Sequence, residues 1–170
     1  VARALIVGCG CRGRGVGQRL LRRGWQVRGT SRHREGLALI EQAGIEPALA
    51  DPSEPGAVLE LIDDVSVVAW LLGSAEGDEE ELAALHGPAL NRVLERIVET
   101  PVRGFVYDAK GSVDPVLLAH GQEAVEAASE TWNLPIACLL VDPFDDETWS
   151  DPIEIWSDAA IGGIVDMLEK

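Results

Sequence analysis

Three glycines and the polar residues set among them hold the clearest chemistry in this chain. Gly8-x-Gly10-x-x-Gly13 follows at once on the apolar run Leu5-Ile6-Val7, and an amphipathic segment with Leu20 and Leu21 then runs to Gly24. In a strand–turn–helix setting each glycine has its own task. Gly8 permits the tight turn, Gly10 lets the backbone approach a pyrophosphate, and Gly13 lets the helix pack close to the strand. The helix start adds unpaired N–H groups and the positive end of a dipole, which suit an anion. Cys11 and Arg12 lie inside the same loop and count with the three glycines as candidate phosphate contacts.

A second group follows at the end of the next strand, Val27-Arg28-Gly29-Thr30-Ser31-Arg32. An acid at that tip would accept hydrogen bonds from a ribose 2′-hydroxyl. Ser31 and Arg32 stand there instead, and a hydroxyl beside a guanidinium suits a 2′-phosphate, which arginine takes in a forked geometry. Thr30, Ser31 and Arg32 therefore favour NADP(H), with NAD(H) as the alternative that Glu35, just beyond, supports.

Other constellations carry less. Cys9 and Cys11 form a Cys-x-Cys pair, but Cys138 is remote and His33, His86 and His120 lack ligand spacing, so no metal site is expected. A thiolate near the helix start and Arg12 could have a lowered pKa and some redox sensitivity. The acids Asp142, Asp145, Asp146, Glu147 and Asp151 do not match a calcium loop and read as a solvated segment. Neither a Gly-x-Ser-x-Gly elbow nor an ATP-binding P-loop occurs.

The charge is divided unevenly. Residues 1–34 hold nine arginines and no acid, the rest carries all 29 acids, and the whole chain has a net charge of −15. Direct nucleic-acid binding is not expected of so acidic a molecule. The basic block coincides with the glycine loop and points to a local anion site. Arg19, Arg22 and Arg23 read as solvating the outer face of the first helix. No apolar run reaches the ~18–20 residues of a membrane span, and the start does not read as a signal peptide. Three cysteines do not make a disulfide framework, so a cytoplasmic setting is expected.

Elements that could position these groups alternate along the chain. Strands are expected at Arg3–Val7, Gln26–Thr30, Ile45–Ala50, Val65–Leu72, Arg103–Tyr107 and Ile136–Val141. Val65–Leu72, apolar throughout, fits a strand buried on both faces. Helices are expected at Gly13–Arg23 and Arg34–Ala43, then from an N-cap at Ser53 to about Asp63. A further one steps from Leu82 to Ile97 with a kink or division at Pro88. Another spans Pro115–Trp132, and a last one is capped by Ser157 or Asp158 and runs through Leu168. This alternation predicts one domain over 1–170, an α/β three-layer doubly wound Rossmann fold. Its parallel sheet of about six strands has the order 3-2-1-4-5-6, with the crevice at the carboxyl ends of strands 1 and 4.

The spacing from the glycines to Leu20-Leu21-Arg22-Arg23-Gly24-Trp25 and on to Val27–Arg32 resembles the extended and atypical short-chain dehydrogenase/reductases, including NmrA-like members and NAD-dependent epimerases. Asp51-Pro52 after strand 3 and Leu71-Leu72-Gly73 after strand 4 continue the resemblance. It implies a nicotinamide dinucleotide cofactor, with Asp51 and Pro52 near the adenine and Leu71, Leu72 and Gly73 along the crevice. It also implies a homodimer through the helices after strands 4 and 5. The family's Ser/Thr after strand 5 and its Tyr-x-x-x-Lys are not reproduced. The one tyrosine, Tyr107, falls inside strand 5 and is followed four residues on by Gly111. Lys110 and Ser112 could act as substitutes and His120 lies near the family's lysine position, but each reads more simply as a turn or surface residue. The family's substrate-binding C-terminal extension is expected to be missing. The expectation is an NADP(H)-binding protein without standard reductase catalysis, acting as a cofactor sensor or regulator. An atypical oxidoreductase or epimerase is the alternative.

Overall fold

Strand β1 (Arg3–Val7) is apolar on both faces, and the two faces meet different layers of helix. Leu5 and Val7 point to one core, Ala4 and Ile6 to the other, as the two-residue period of a strand requires. The computed structural model describes residues 1–145 and 151–168. Within them β1 joins β2 (Gln26–Ser31), β3 (Glu46–Leu49), β4 (Val67–Trp70), β5 (Gly104–Asp108) and β6 (Ile136–Leu139) in one sheet. All neighbours are parallel, in the order β3-β2-β1-β4-β5-β6.

Seven helices cover the described residues: α1 (Cys11–Arg22), α2 (Arg34–Gln42), α3 (Pro55–Leu59), α4 (Glu79–Leu85), α5 (Pro88–Ile97), α6 (Pro115–Trp132) and α7 (Pro152–Asp166). On one face Val16, Leu20 and Ile40 from α1 and α2 pack with Trp156, Ala160, Ile161 and Ile164 of α7 against Ile6, Ala69 and Val106. On the other, Val58 of α3, Leu90, Val93 and Leu94 of α5 and Val125 of α6 pack against Leu5, Val68, Trp70 and Phe105. Three layers result, and β1 and β4, which carry the reversal of strand order, are enclosed between them, as is β5. The expected fold class and strand order are those observed.

Several local expectations are corrected. Ser53 does not cap α3: Glu54 holds that position without a side-chain cap, and α3 stops at Leu59, well short of Asp63. Ser53 instead donates its hydroxyl to Asp51 Oδ1 (2.8 Å). The last helix begins not at Ser157 or Asp158 but at Pro152, where the Asp151 carboxylate accepts the Ile153 N–H (3.0 Å). An acid before a first-turn proline is a strong helix start, and Trp156 then falls on the buried face. The fifth strand, expected to end at Tyr107, runs one residue further, and Asp108, which closes β5, is 2% exposed. Pro88 divides its helix completely, since it cannot supply the N–H that would continue α4. Arg19 does more than solvate α1, because it pairs with Asp158 of α7 (2.6 Å). Asp146, Glu147 and Trp149 lie outside the described residues.

Candidate functional site

The crevice opens at the carboxyl ends of β1, β2 and β4. Gly8 follows β1 with φ +88°, a backbone conformation that glycine adopts at low cost. Its N–H donates to Thr30 Oγ1 (3.2 Å), and the Cys9 N–H donates to the Thr30 carbonyl (3.0 Å). Thr30, nearly fully buried, thus holds the loop by its side chain. A Cβ on Gly13 would lie 2.9 Å from the Gly8 carbonyl oxygen and 3.3 Å from Ile6 Cγ2. Helix α1 therefore sits against β1 as closely as a glycine permits. A Cβ on Gly10 would meet nothing within 4 Å. The three glycines thus differ in the way a phosphate loop needs: one turns, one packs, and one leaves open space at a helix start with no acid in its first turn.

A cavity of about 290 Å³ adjoins this loop. Gly8, Gly10, Arg12, Thr30, Ser31, Arg32, Pro52, Leu71 and Leu72 of the predicted residues line it. Cys11 and Gly13 line a neighbouring hollow of about 100 Å³, with Arg12, Leu71 and Trp156. Two predicted residues stand back from the cavity. Asp51 turns its Oδ1 to the Ser53 N–H (2.9 Å) and hydroxyl. Gly73 lies under the following loop, where its N–H donates to Asp108 Oδ2 (3.1 Å) and a Cβ would meet Asp108 Oδ2 at 2.7 Å. Glu35 is exposed in the first turn of α2. Arg14, His33, Gly36 and Ser74–Glu76 also line the cavity, and the sequence reading did not assign them to the site. For Arg14 the signal was present, as the second arginine of the first helical turn.

The basic block is only partly a lining. Arg28 is spent on Glu46 (3.1 Å) and Asp64 (2.8 Å), and Arg3 pairs with Asp64. Arg12, Arg14 and Arg32 are the arginines at the cavity. The Arg12 guanidinium lies 4.8 Å from the Phe144 ring centre and 5.8 Å from that of Trp156, within cation–π range. Ser31 Oγ is engaged within its own loop, donating to the His33 carbonyl (2.8 Å).

Asp108 and His86 are the buried polar centres beside the crevice. Asp108 accepts the Trp156 indole N–H at Oδ1 (3.0 Å) and the Gly73 N–H at Oδ2. Burial nonetheless raises its carboxyl to about 6, against the lowering effect of those bonds and of Arg12. His86 lies between Leu72 and Tyr107. Its Nε2 donates to the Leu72 carbonyl (3.1 Å), which leaves Nδ1 to accept the Tyr107 hydroxyl (2.7 Å). Burial holds His86 down to about 4 and pushes the Tyr107 hydroxyl above its ordinary range. Tyr107 is thus a buried structural donor, and a Cβ on Gly121 would overlap its hydroxyl. Cys9 is buried and pushed up to about 12, so the expected thiolate does not form there. Lys110, Ser112 and His120 are exposed, and the Ser112 N–H donates to Ser74 Oγ (3.2 Å). Among the described residues no group of three or more His, Cys, Asp or Glu could hold a metal. None of their helices is long and apolar enough to cross a membrane.

The sheet order and the flanking helices define a doubly wound, Rossmann-like α/β fold. No family model and no curated protein matches the chain. Its fold is that of the short-chain dehydrogenase/reductase and NAD-dependent epimerase/dehydratase structures. One is a short-chain dehydrogenase/reductase superfamily protein from Agrobacterium tumefaciens with bound NAD (TM-score 0.65, 20% identity, 80% of this chain and 48% of that one). Another is the Citrobacter sp. triphenylmethane reductase complexed with NADP(H) (0.59, 23%, 82% and 48%). A Bacillus halodurans protein assigned as an NAD-dependent epimerase/dehydratase matches over 96% of this chain and 88% of its own, at TM-score 0.69 and 14% identity. This chain spans about half the length of the first two.

Proposed function

We propose that the protein binds a nicotinamide dinucleotide across this crevice, NADP(H) in preference to NAD(H), and reads its presence rather than running short-chain reductase chemistry. The observation that carries the proposal is Gly10. Between a glycine that must turn and a glycine that must pack, it alone leaves the space beyond its Cα open, beside a cavity served by Arg12, Arg14 and Arg32. A pyrophosphate would lie on the loop and the start of α1. The adenosine half would extend past Thr30 and Ser31 towards Ala50 and Pro52, and Leu71 and Leu72 would flank it. Arg32 would take the 2′-phosphate. When bound, the nicotinamide would supply hydride transfer, but the Tyr-x-x-x-Lys of a standard reductase is not reproduced, and the one tyrosine, Tyr107, lies inside β5 with its hydroxyl given to His86. The missing Tyr-x-x-x-Lys supports the sensor or regulator role. The same reading includes a homodimer through α5 and α6, near which Val98 and Trp132 are exposed.

Calorimetric titration of the purified protein with NADPH and NADH tests the proposal. Saturable binding of both, tighter for NADPH, is expected, with no consumption of NADPH against aldehydes and ketones. Failure of both cofactors to bind overturns it, and turnover would move the protein to the oxidoreductase alternative. Sedimentation velocity decides the dimer.

A further inference from the structure

Arg32 is held from across the crevice. Its Nη1 donates to Glu81 Oε2 (3.2 Å) and its Nη2 to the Glu76 carbonyl (2.7 Å), joining the residue after β2 to the first turn of α4 and the segment before it. Both partners belong to the acidic stretch Glu76-Gly77-Asp78-Glu79-Glu80-Glu81. Asp78 caps α4 by accepting the Glu81 N–H (2.8 Å), which places Glu81 in the first helical turn, where the helix dipole favours a carboxylate. Gly77 makes room for it: a Cβ there would lie 2.8 Å from Glu81 Oε2. The carboxylate thus folds back over a residue without a side chain to reach Arg32. Glu76 and Arg32 both line the cavity, so the contact spans its margin.

We propose that Glu81 is an internal competitor for Arg32, a latch that a 2′-phosphate must displace and that sets the preference between NADP(H) and NAD(H). The proposal rests on the cofactor reading above. Both partners of this ion pair are partly exposed, with side-chain exposures of 33% and 49%, and such pairs exchange readily for a stronger anion. A phosphate dianion gives arginine a charge-assisted, two-pronged contact stronger than one carboxylate oxygen offers. An incoming 2′-phosphate therefore gains Arg32 but must first expel Glu81 and then lie near the other acids of the segment. A cofactor without that phosphate leaves the latch closed and is indifferent to it. Glu81 is in this sense a specificity-determining residue that never touches the ligand.

The test is calorimetric binding of NADPH and NADH to wild type, Glu81→Gln, Arg32→Ala and the Arg32→Ala/Glu81→Gln double variant. Glu81→Gln is expected to tighten NADPH by about three- to tenfold and leave NADH within about twofold. In the Arg32→Ala background the Glu81 substitution should have no effect on either cofactor. Unchanged or weaker NADPH binding by Glu81→Gln, with both cofactors still binding, overturns the latch and leaves the cofactor reading standing. Absence of binding in every protein overturns both.

Discussion

Trp156 gives its indole N–H to Asp108 across 3.0 Å and so ties α7 to the last residue of β5. The same carboxylate takes the Gly73 N–H from the end of β4, and Arg12 lies close enough to lower its pKa. A C-terminal helix, two strand ends and the glycine loop thus converge on one acid that is 2% exposed. Its hydrogen bonds fit the ionised form, but burial outweighs them and sets its pKa near 6, above the ordinary 3.8.

That raised value makes the stability contribution of Asp108 fall as pH rises. Between pH 4 and 6 the native state binds the proton that the unfolded chain has released, so the contribution is fully present below about 4 and lost above about 6. At about 1.4 kcal/mol per unit the difference is about 3 kcal/mol. Asp108→Asn removes the titration. Urea unfolding at a series of pH values should show the difference between variant and wild type shifting in the variant's favour from pH 4 to 6.5. A constant difference would show that Asp108 does not titrate in this range.

His86 predicts the opposite slope in an overlapping window. Held down to about 4 from 6.5, it binds fewer protons when folded than when unfolded, so its contribution is intact above about 6.5 and lost as pH falls towards 4. The two effects oppose each other in the wild type, each of order 3 kcal/mol. His86→Gln should therefore lose less stability on acidification than wild type, although it weakens the Tyr107 contact at all pH values. Parallel profiles for wild type and His86→Gln would refute this account.

Sheet order was legible in the sequence because β1 and β4 are apolar on both faces, which leaves them little choice but the middle of a parallel sheet. The glycine roles were legible because they depend on the backbone alone. What could not be read depends on partners distant in the chain. Arg32 is 49 residues from Glu81, and nothing local distinguishes an arginine awaiting an anion from one already holding a carboxylate. Asp108 fell outside the expected strand, which stops at Tyr107, because its donors, Gly73 and Trp156, come from other elements. The start of α7 was legible in principle, but one acid among many concealed the cap.

That cap gives a third prediction. The Asp151 carboxylate accepts the Ile153 N–H, as Asp114 accepts that of Val116 at the start of α6. Asp151→Ala should cost about 1 kcal/mol in urea unfolding, and Asp114→Ala a similar amount. Asp151→Asn should recover most of the loss, since an amide oxygen can also cap. An alanine variant as stable as wild type would place the helix start further along, at Ser157 or Asp158.

Gly10 and Gly17 separate binding from folding within one helix start. A Cβ at Gly17 would lie 2.4 Å from Ile45 Cδ1 in the core between α1 and the sheet, whereas one at Gly10 would meet only open space. Gly10 also has φ −81°, which alanine adopts without strain. Gly17→Ala should therefore destabilise the protein by about 1–3 kcal/mol through overpacking, with nucleotide affinity little changed in the fraction that folds. Gly10→Ala should leave unfolding within about 0.5 kcal/mol of wild type and weaken both NADPH and NADH at least about tenfold, because the methyl group would stand where the pyrophosphate must approach. Thermal unfolding and calorimetric titration on the same two proteins decide the matter. A Gly10→Ala protein that binds as well as wild type would mean that the open space beside the loop is not where the phosphates lie, whatever the fold resembles.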